Sequence, residues 1–305
     1  MRAVFINTGY ACSLNCLTCP VSRGAHREYA QPELQVLLSH INECRNDQIY
    51  LAGGDPALRE DLPQIIEAAS MNGNQVSLYT SGMRLMDRQF LLTLTGAGLK
   101  HISVPLFSHI PGVHDGITQT KTSFLRTSEG LRNILYLRKG GCEVDVEISI
   151  TITSLNYAAL PQTVAHIAAE FMPKKVIIVQ PDVHGGTPGR QSNLRVDIRS
   201  NIQPLLQAIE LCEHVGQDVS LAGIPLCWMN NAHADVLVQM LYNSSNVTEV
   251  VRYGISSEKM VVPTTLHSGP CSHCTMTDCC SVSCKAGSFR EHEHLSAIVS
   301  KGAAK

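Results

Sequence analysis

Cys12, Cys16 and Cys19 stand in one short segment, separated by three residues and then by two. Five more, Cys271, Cys274, Cys279, Cys280 and Cys284, crowd a second segment near the C terminus. Of the 12 cysteines, only Cys44, Cys142, Cys212 and Cys227 lie outside these clusters. Such spacing among Ser, Thr, Asn, His and Asp neighbours reads as metal ligation rather than disulfide bonding. Three thiolates are one short of a closed tetrahedral zinc site. They suit a [4Fe–4S] cube held at three irons, with the fourth iron open. For Cys44, Cys142 and Cys212, packing as small hydrophobes is the simpler account.

In the second segment, Cys271, Cys274 and Cys280 with the distant Cys227 make four thiolates. That is enough to close an iron–sulfur cluster or a structural zinc site, and Cys279 or Cys284 could substitute for one ligand. His273 would be a ligand only in the zinc case. His109 and His114-Asp115 fall in a segment after the fourth strand, where they could bind substrate, donate protons or face solvent. Glu291-His292-Glu293-His294 is a solvated tail, and Met71, Met83 and Met86 are packing residues.

Composition limits what these residues can serve. The chain has 305 residues, 44% hydrophobic and 16% charged, which excludes a disordered or coiled-coil chain. A formal net charge of −2 supplies no basic field, so nucleic acid is not an expected partner. No stretch approaches the roughly 18 apolar residues of a membrane span, and no signal-peptide core follows Met1. The cytoplasm is the default location.

The elements that must position the cysteines alternate β-rich and helical patterns. Strands are expected at Ala3–Asn7, Ile49–Ala52, Gln75–Thr80, His101–Leu106, Glu143–Ile152 and Lys175–Gln180. Helices follow from Pro32, Asp61 and Asp87, then over Ser123–Arg138, Ala158–Phe171 and Gln203–Val215. Six β-α units imply a parallel sheet, either doubly wound or curved toward a barrel. The fifth strand favours the barrel. Val144, Val146, Ile148, Ile150 and Ile152 alternate with Glu143, Asp145, Glu147, Ser149 and Thr151, so one face packs on helices and the other is polar. An antiparallel sheet with one wet face is the competing account. The expected fold is α/β, a partial (β/α)6 TIM-like barrel over residues 1–218, with a cysteine-rich extension over 219–305. The first cysteine loop then lies at the C-terminal end of the first strand, where barrel enzymes place their chemistry.

This spacing in this location resembles the radical SAM superfamily, and the likeness extends over most of the chain. Gly53-Gly54-Asp55-Pro56 resembles the glycine-rich segment that meets the amino group of S-adenosylmethionine (SAM), with Asp55 where Glu is commoner. Two glycines there permit close backbone approach. Thr80-Ser81-Gly82 is similar to a family turn after the third strand. Ser149, Thr151 and Asn156 match the region that contacts the SAM ribose, and Gln180 falls where the adenine is held. Leu17 and Thr18 occupy the place where the family often has an aromatic residue.

The resemblance implies reductive cleavage of SAM to a 5′-deoxyadenosyl radical that abstracts hydrogen from a substrate in the lumen. The C-terminal cysteines resemble twitch or SPASM-type extensions, which implies one auxiliary [4Fe–4S] cluster. The leading expectation is oxidative modification of a ribosomal peptide. It implies a flavodoxin- or ferredoxin-type electron donor. The chain starts directly at its first strand, with no fused leader-peptide-binding domain, which favours a small molecule unless a separate leader-peptide-binding protein delivers the peptide. A radical SAM dehydrogenase or rearrangement enzyme acting on a sugar, amino alcohol or other metabolite is the alternative. A zinc-stabilised interaction module without enzymatic activity is the third.

Overall fold

The computed structural model describes residues 2–19, 31–180, 194–224, 250–253 and 259–262. One sheet runs through all of them. Strands β1 (Ala3–Asn7), β2 (Gln48–Ala52), β3 (Gln75–Tyr79), β4 (His101–Pro105), β5 (Asp145–Thr151), β6 (Lys175–Val179) and β7 (Val219–Ala222) pair in sequence order, all parallel. These seven strands form the half-barrel expected from the alternating pattern. On the other edge of β1, β8 (Val250–Tyr253) pairs in parallel and β9 (Lys259–Val262) pairs antiparallel to β8. The sheet therefore continues past residue 218, and β7 adds a seventh parallel strand to the six read from the sequence. At only four residues, β7 is too short to announce itself by periodicity.

Helices α1 (Leu34–Asn42), α2 (Leu62–Met71), α3 (Arg88–Gly96), α4 (Pro111–Thr118), α5 (Ser123–Lys139), α6 (Leu160–Phe171) and α7 (Gln203–His214) fill the crossovers. Their apolar stripes meet one face of the sheet. Leu37 and Ile41 of α1, Ile65 and Ile66 of α2, and Val164 and Ile167 of α6 are at most 1% exposed. The strands supply the matching layer. Val146, Ile148 and Ile150 of β5 are at most 1% exposed, while Asp145, Glu147, Ser149 and Thr151 between them are half-buried on the opposite, lumenal face. Burying each such aliphatic chain contributes roughly 1.5–3 kcal/mol, which fixes the sheet's inner and outer faces. Among the described residues no helix is long and apolar enough to cross a membrane.

Candidate functional site

The cysteine loop leaves the C-terminal end of β1, and three neighbours set its course. The first is the turn after β2. Gly54 N–H donates to Gly9 O at 2.8 Å and Asp55 N–H to Ala11 O at 2.7 Å, prolonging the β1–β2 ladder into the loop. A Cβ on Gly53 would press on Asn7 Oδ1 at 2.6 Å, and one on Gly54 would run into the Ala11 carbonyl and meet Tyr10 O at 2.6 Å. Gly53 also sits at φ +133°, which side chains rarely adopt. Sequence alone assigns these glycines to ligand approach; the structure shows that their missing Cβ atoms admit the cysteine loop itself.

The second neighbour is α4. Its last carbonyls accept from the loop: Asn15 N–H donates to Thr118 O at 3.0 Å and Leu17 N–H to Ile117 O at 2.8 Å. His114, 1% exposed, docks this helix by accepting the Phe107 N–H on Nδ1 at 3.2 Å, with its ring 5.7 Å from that of Phe124. Asp115 organises the start of α5, accepting from Thr122 N (2.7 Å), Ser123 Oγ (2.8 Å) and Phe124 N (2.8 Å). His114-Asp115 thus belong to a helix, not to a loop at the site's mouth, and both face the protein. Pro111 at the first turn is the helix-start signal that sequence reading passed over.

Burial pushes the His114 pKa down to about 4, outweighing the attraction of Asp115. An unfolded chain protonates this imidazole near pH 6.5, so acidification favours the unfolded state until the folded group also protonates. Stability is expected to be full above about pH 6.5 and to fall by about 3 kcal/mol toward pH 4 through this residue. Urea unfolding across that range checks it: the His114→Gln variant should lose that part of the slope. An unchanged slope would assign the acid sensitivity elsewhere.

The third neighbour is Arg59, 5% exposed. Its Nη1 donates to Thr8 O at 2.9 Å and Pro32 O at 3.1 Å, while Nε and Nη2 grip the Asp61 carboxylate at 2.8 and 2.7 Å. It therefore braces the base of the loop. No motif marks this role in the sequence, because the contacts that reach the loop are to backbone carbonyls 51 and 27 residues away.

Asp55 ties two turns together. Its Oδ1 accepts from Thr80 Oγ1 (2.7 Å) and Ala57 N (3.1 Å), and its Oδ2 from Ser81 Oγ (2.5 Å) and Ser81 N (3.2 Å). At 4% exposure this carboxylate is held wholly by protein donors, and Pro56 behind it is buried. On the far side, Ser149 and Thr151 point into the lumen, half-buried. Asn156, 2% exposed, accepts from Thr153 N (2.7 Å) and Oγ1 (3.0 Å) and donates to Phe107 O (2.7 Å) and Thr151 O (2.9 Å). It locks the ends of β4 and β5 together. Gln180, at the end of β6, has a buried Oε1 with no partner among the described residues.

Cys12, Cys16 and Cys19 are half-buried and form no disulfide, and Leu14 N–H points at Cys12 Sγ at 3.5 Å. Among the described residues no three His, Cys, Asp or Glu converge on a single metal ion. A cube does not ask for that, since each of the three irons it would bind by takes its own thiolate. The donor set fits a cluster at the loop, and the unpartnered Gln180 oxygen fits an amine donor such as that of adenine across the mouth. Cys227, Cys271, Cys274, Cys279, Cys280 and Cys284 lie outside the described residues.

A half-barrel with a three-cysteine loop braced at the C-terminal end of its first strand defines a cluster-binding barrel enzyme. The chain belongs to the Radical SAM superfamily, whose profile matches residues 6–167. SAM and a [4Fe–4S] cluster are the cofactors that membership implies. A PqqA peptide cyclase of Bradyrhizobium diazoefficiens is 28% identical over 151 residues, covering 48% of this chain and 38% of that one. A probable GTP 3′,8-cyclase of Methanopyrus kandleri is 28% identical over 191 residues, covering 62% and 59%. The chain spans only 38% to 59% of the length of these curated relatives. Streptococcus suis SuiB bound to S-adenosylmethionine superposes with a TM-score of 0.62 at 10% identity, over 92% of this chain and 72% of that one. Native anSMEcpe with bound AdoMet gives 0.55 at 16% identity, over 72% and 64%. At such identities the structural likeness shows the fold.

Proposed function

We propose that the protein oxidatively modifies a ribosomal peptide, using SAM and a [4Fe–4S] cluster held by Cys12, Cys16 and Cys19. The observation that carries this reading is the cysteine loop braced by the Gly53–Asp55 turn, α4 and Arg59 at the mouth of a polar lumen. Reductive cleavage of SAM at the cluster supplies a 5′-deoxyadenosyl radical able to abstract hydrogen from carbon. The chain's own residues orient and enclose. The Gly53–Pro56 turn and Ser81 border the methionine side of the mouth, Ser149 and Thr151 the ribose side, and the Gln180 Oε1 awaits the adenine amine. Asn156 acts through the strand ends it holds, and Asp55 through the two turns it joins.

The peptide class is supported by the PqqA peptide cyclase relative and by the fold shared with SuiB, solved elsewhere bound to its precursor peptide SuiA. The Methanopyrus relative, named for a nucleotide cyclisation, supports the second reading, a metabolite substrate. In either case Cys227, Cys271, Cys274 and Cys280 hold an auxiliary [4Fe–4S] cluster, with Cys279 or Cys284 able to replace one of them. The electron enters from a flavodoxin- or ferredoxin-type donor. The oxidative outcome follows from where the remaining thiols stand. Cys44 is buried just beyond the end of α1, donating to His40 O at 3.2 Å, Cys212 is buried on α7, and Cys142 packs partly against the core. Among the described residues, no thiol beyond the cysteine loop is placed to return a hydrogen atom to a substrate radical.

Reconstituted protein, dithionite, SAM and a short peptide encoded beside the protein's gene form the test. The expected products are 5′-deoxyadenosine and a peptide lighter by two hydrogens, with SAM consumed stoichiometrically. A peptide of unchanged mass carrying one solvent deuterium from D2O would replace oxidation with epimerisation.

A further inference from the structure

The lumenal face of the half-barrel carries an aromatic wall. Phe5, Tyr50 and Tyr79, from three adjacent strands, form one cluster: Phe5 stacks on Tyr50 at 4.6 Å, and Tyr79 lies 5.8 Å from Tyr50 and 6.5 Å from Phe5. Beyond Tyr79 in the same register come Ser103 on β4 and Glu147 on β5. Large side chains on β3 and β5 flank a small, buried one, Ser103, on β4. Glu147 lies directly below Ser149 on the same face of β5, two residues deeper into the lumen.

Glu147 is uncommitted. Its neighbours on the rim pair with one another, since Lys174 bridges Asp145 at 2.5 Å and His101 reaches the same carboxylate at 3.6 Å. Lys175, opposite Glu147 in the β5–β6 register, makes no ion pair with it. No hydrogen bond or ion pair engages the Glu147 carboxylate among the described residues. It is close enough to both tyrosines to be felt: burial raises the Tyr50 and Tyr79 phenols first, and the Glu147 charge adds to both. Tyr79 is also 37% exposed, although it sits within the sheet, so its ring borders open lumen rather than filling it.

We infer that Glu147, with the faces of Tyr79 and Tyr50, forms a subsite for an organic cation, a substrate ammonium or guanidinium, beneath the SAM-binding mouth. A partly desolvated carboxylate facing electron-rich rings favours such a group twice, by charge pairing and by cation–π attraction. The same surroundings reject an anion. In a peptide substrate the occupant is a basic side chain or a free N terminus; in a metabolite it is an amine. The inference rests on the lumen being the substrate chamber.

The probe is n-butylammonium, titrated calorimetrically into the reconstituted holoprotein, with butyrate and n-butanol as comparators. Butylammonium should bind and butyrate should not. Glu147→Gln should weaken butylammonium about tenfold or more, and Tyr79→Leu about threefold. Glu143→Gln, on a side chain 86% exposed outside the lumen, should leave binding unchanged. Equal binding of butyrate, unchanged binding in Glu147→Gln, or no binding of butylammonium by the wild type would each overturn the subsite. The radical reading fails separately, by absence of 5′-deoxyadenosine from wild-type protein supplied with SAM and dithionite, and that outcome leaves the calorimetric result intact.

Discussion

Replacing Cys12, Cys16 and Cys19 together by Ala is expected to abolish 5′-deoxyadenosine formation while the half-barrel stays folded. These thiols are half-buried and carry no disulfide, so their removal exposes no core. The scaffold does not depend on them, because the loop is held by backbone bonds from Gly54, Asp55, Asn15 and Leu17. After anaerobic reconstitution the wild type should hold about eight irons and the triple variant about four, the remainder belonging to the auxiliary cluster. Iron and sulfide analysis with product chromatography measures both. Any 5′-deoxyadenosine from the triple variant would remove the central assignment. Zinc without sulfide in the wild type would point instead to an interaction module.

Gly54→Val should be almost as damaging, and through the cluster rather than through SAM alone. A Cβ at position 54 collides with the Ala11 carbonyl and lies 2.6 Å from Tyr10 O, and neither is a side chain able to swing away. The loop must then leave β2, breaking the bonds of Gly54 N to Gly9 O and Asp55 N to Ala11 O. Overpacking of this kind costs about 1–3 kcal/mol, and the two lost hydrogen bonds add to it. The expected result is failure to assemble the first cluster, seen as a loss of iron and of its visible absorbance. Gly96→Ala, where an added Cβ meets nothing within 4 Å, is the matched control. If Gly54→Val kept its iron and lost only SAM affinity, ligand contact would be this residue's main task.

Much of this was legible along the chain. The alternation in β5 separated a wet lumen from a helix-covered face, because side chains two apart on a strand share one environment. The same logic misjudged extent at the ends. β7 is short, and β8 is recognisable as part of the barrel only through its pairing with β1, a partner nearly 250 residues away. Helix α4 was missed because eight residues starting at a proline look like a loop until their carbonyls are seen capturing the cysteine segment.

The roles of individual residues divide along the same line. Cys12, Cys16 and Cys19 declare themselves by type and spacing, since thiolates so close together in the chain need no fold to be read as ligands. Asp55, Asn156 and His114 do not. Their types suggest ligand contact or proton transfer, yet each proves to be a buried strut with at least one protein partner 7 to 49 residues away. The meeting of Phe5, Tyr50, Tyr79 and Glu147 is likewise invisible in the sequence, because it exists only once the parallel register aligns four separate strands. Local spacing determines which atoms could bind a metal. Whether a buried polar side chain faces a ligand or its own backbone is decided by which distant carbonyls and amides the fold delivers to it, for a buried hydrogen-bonding group must be satisfied by whatever lies within about 3 Å.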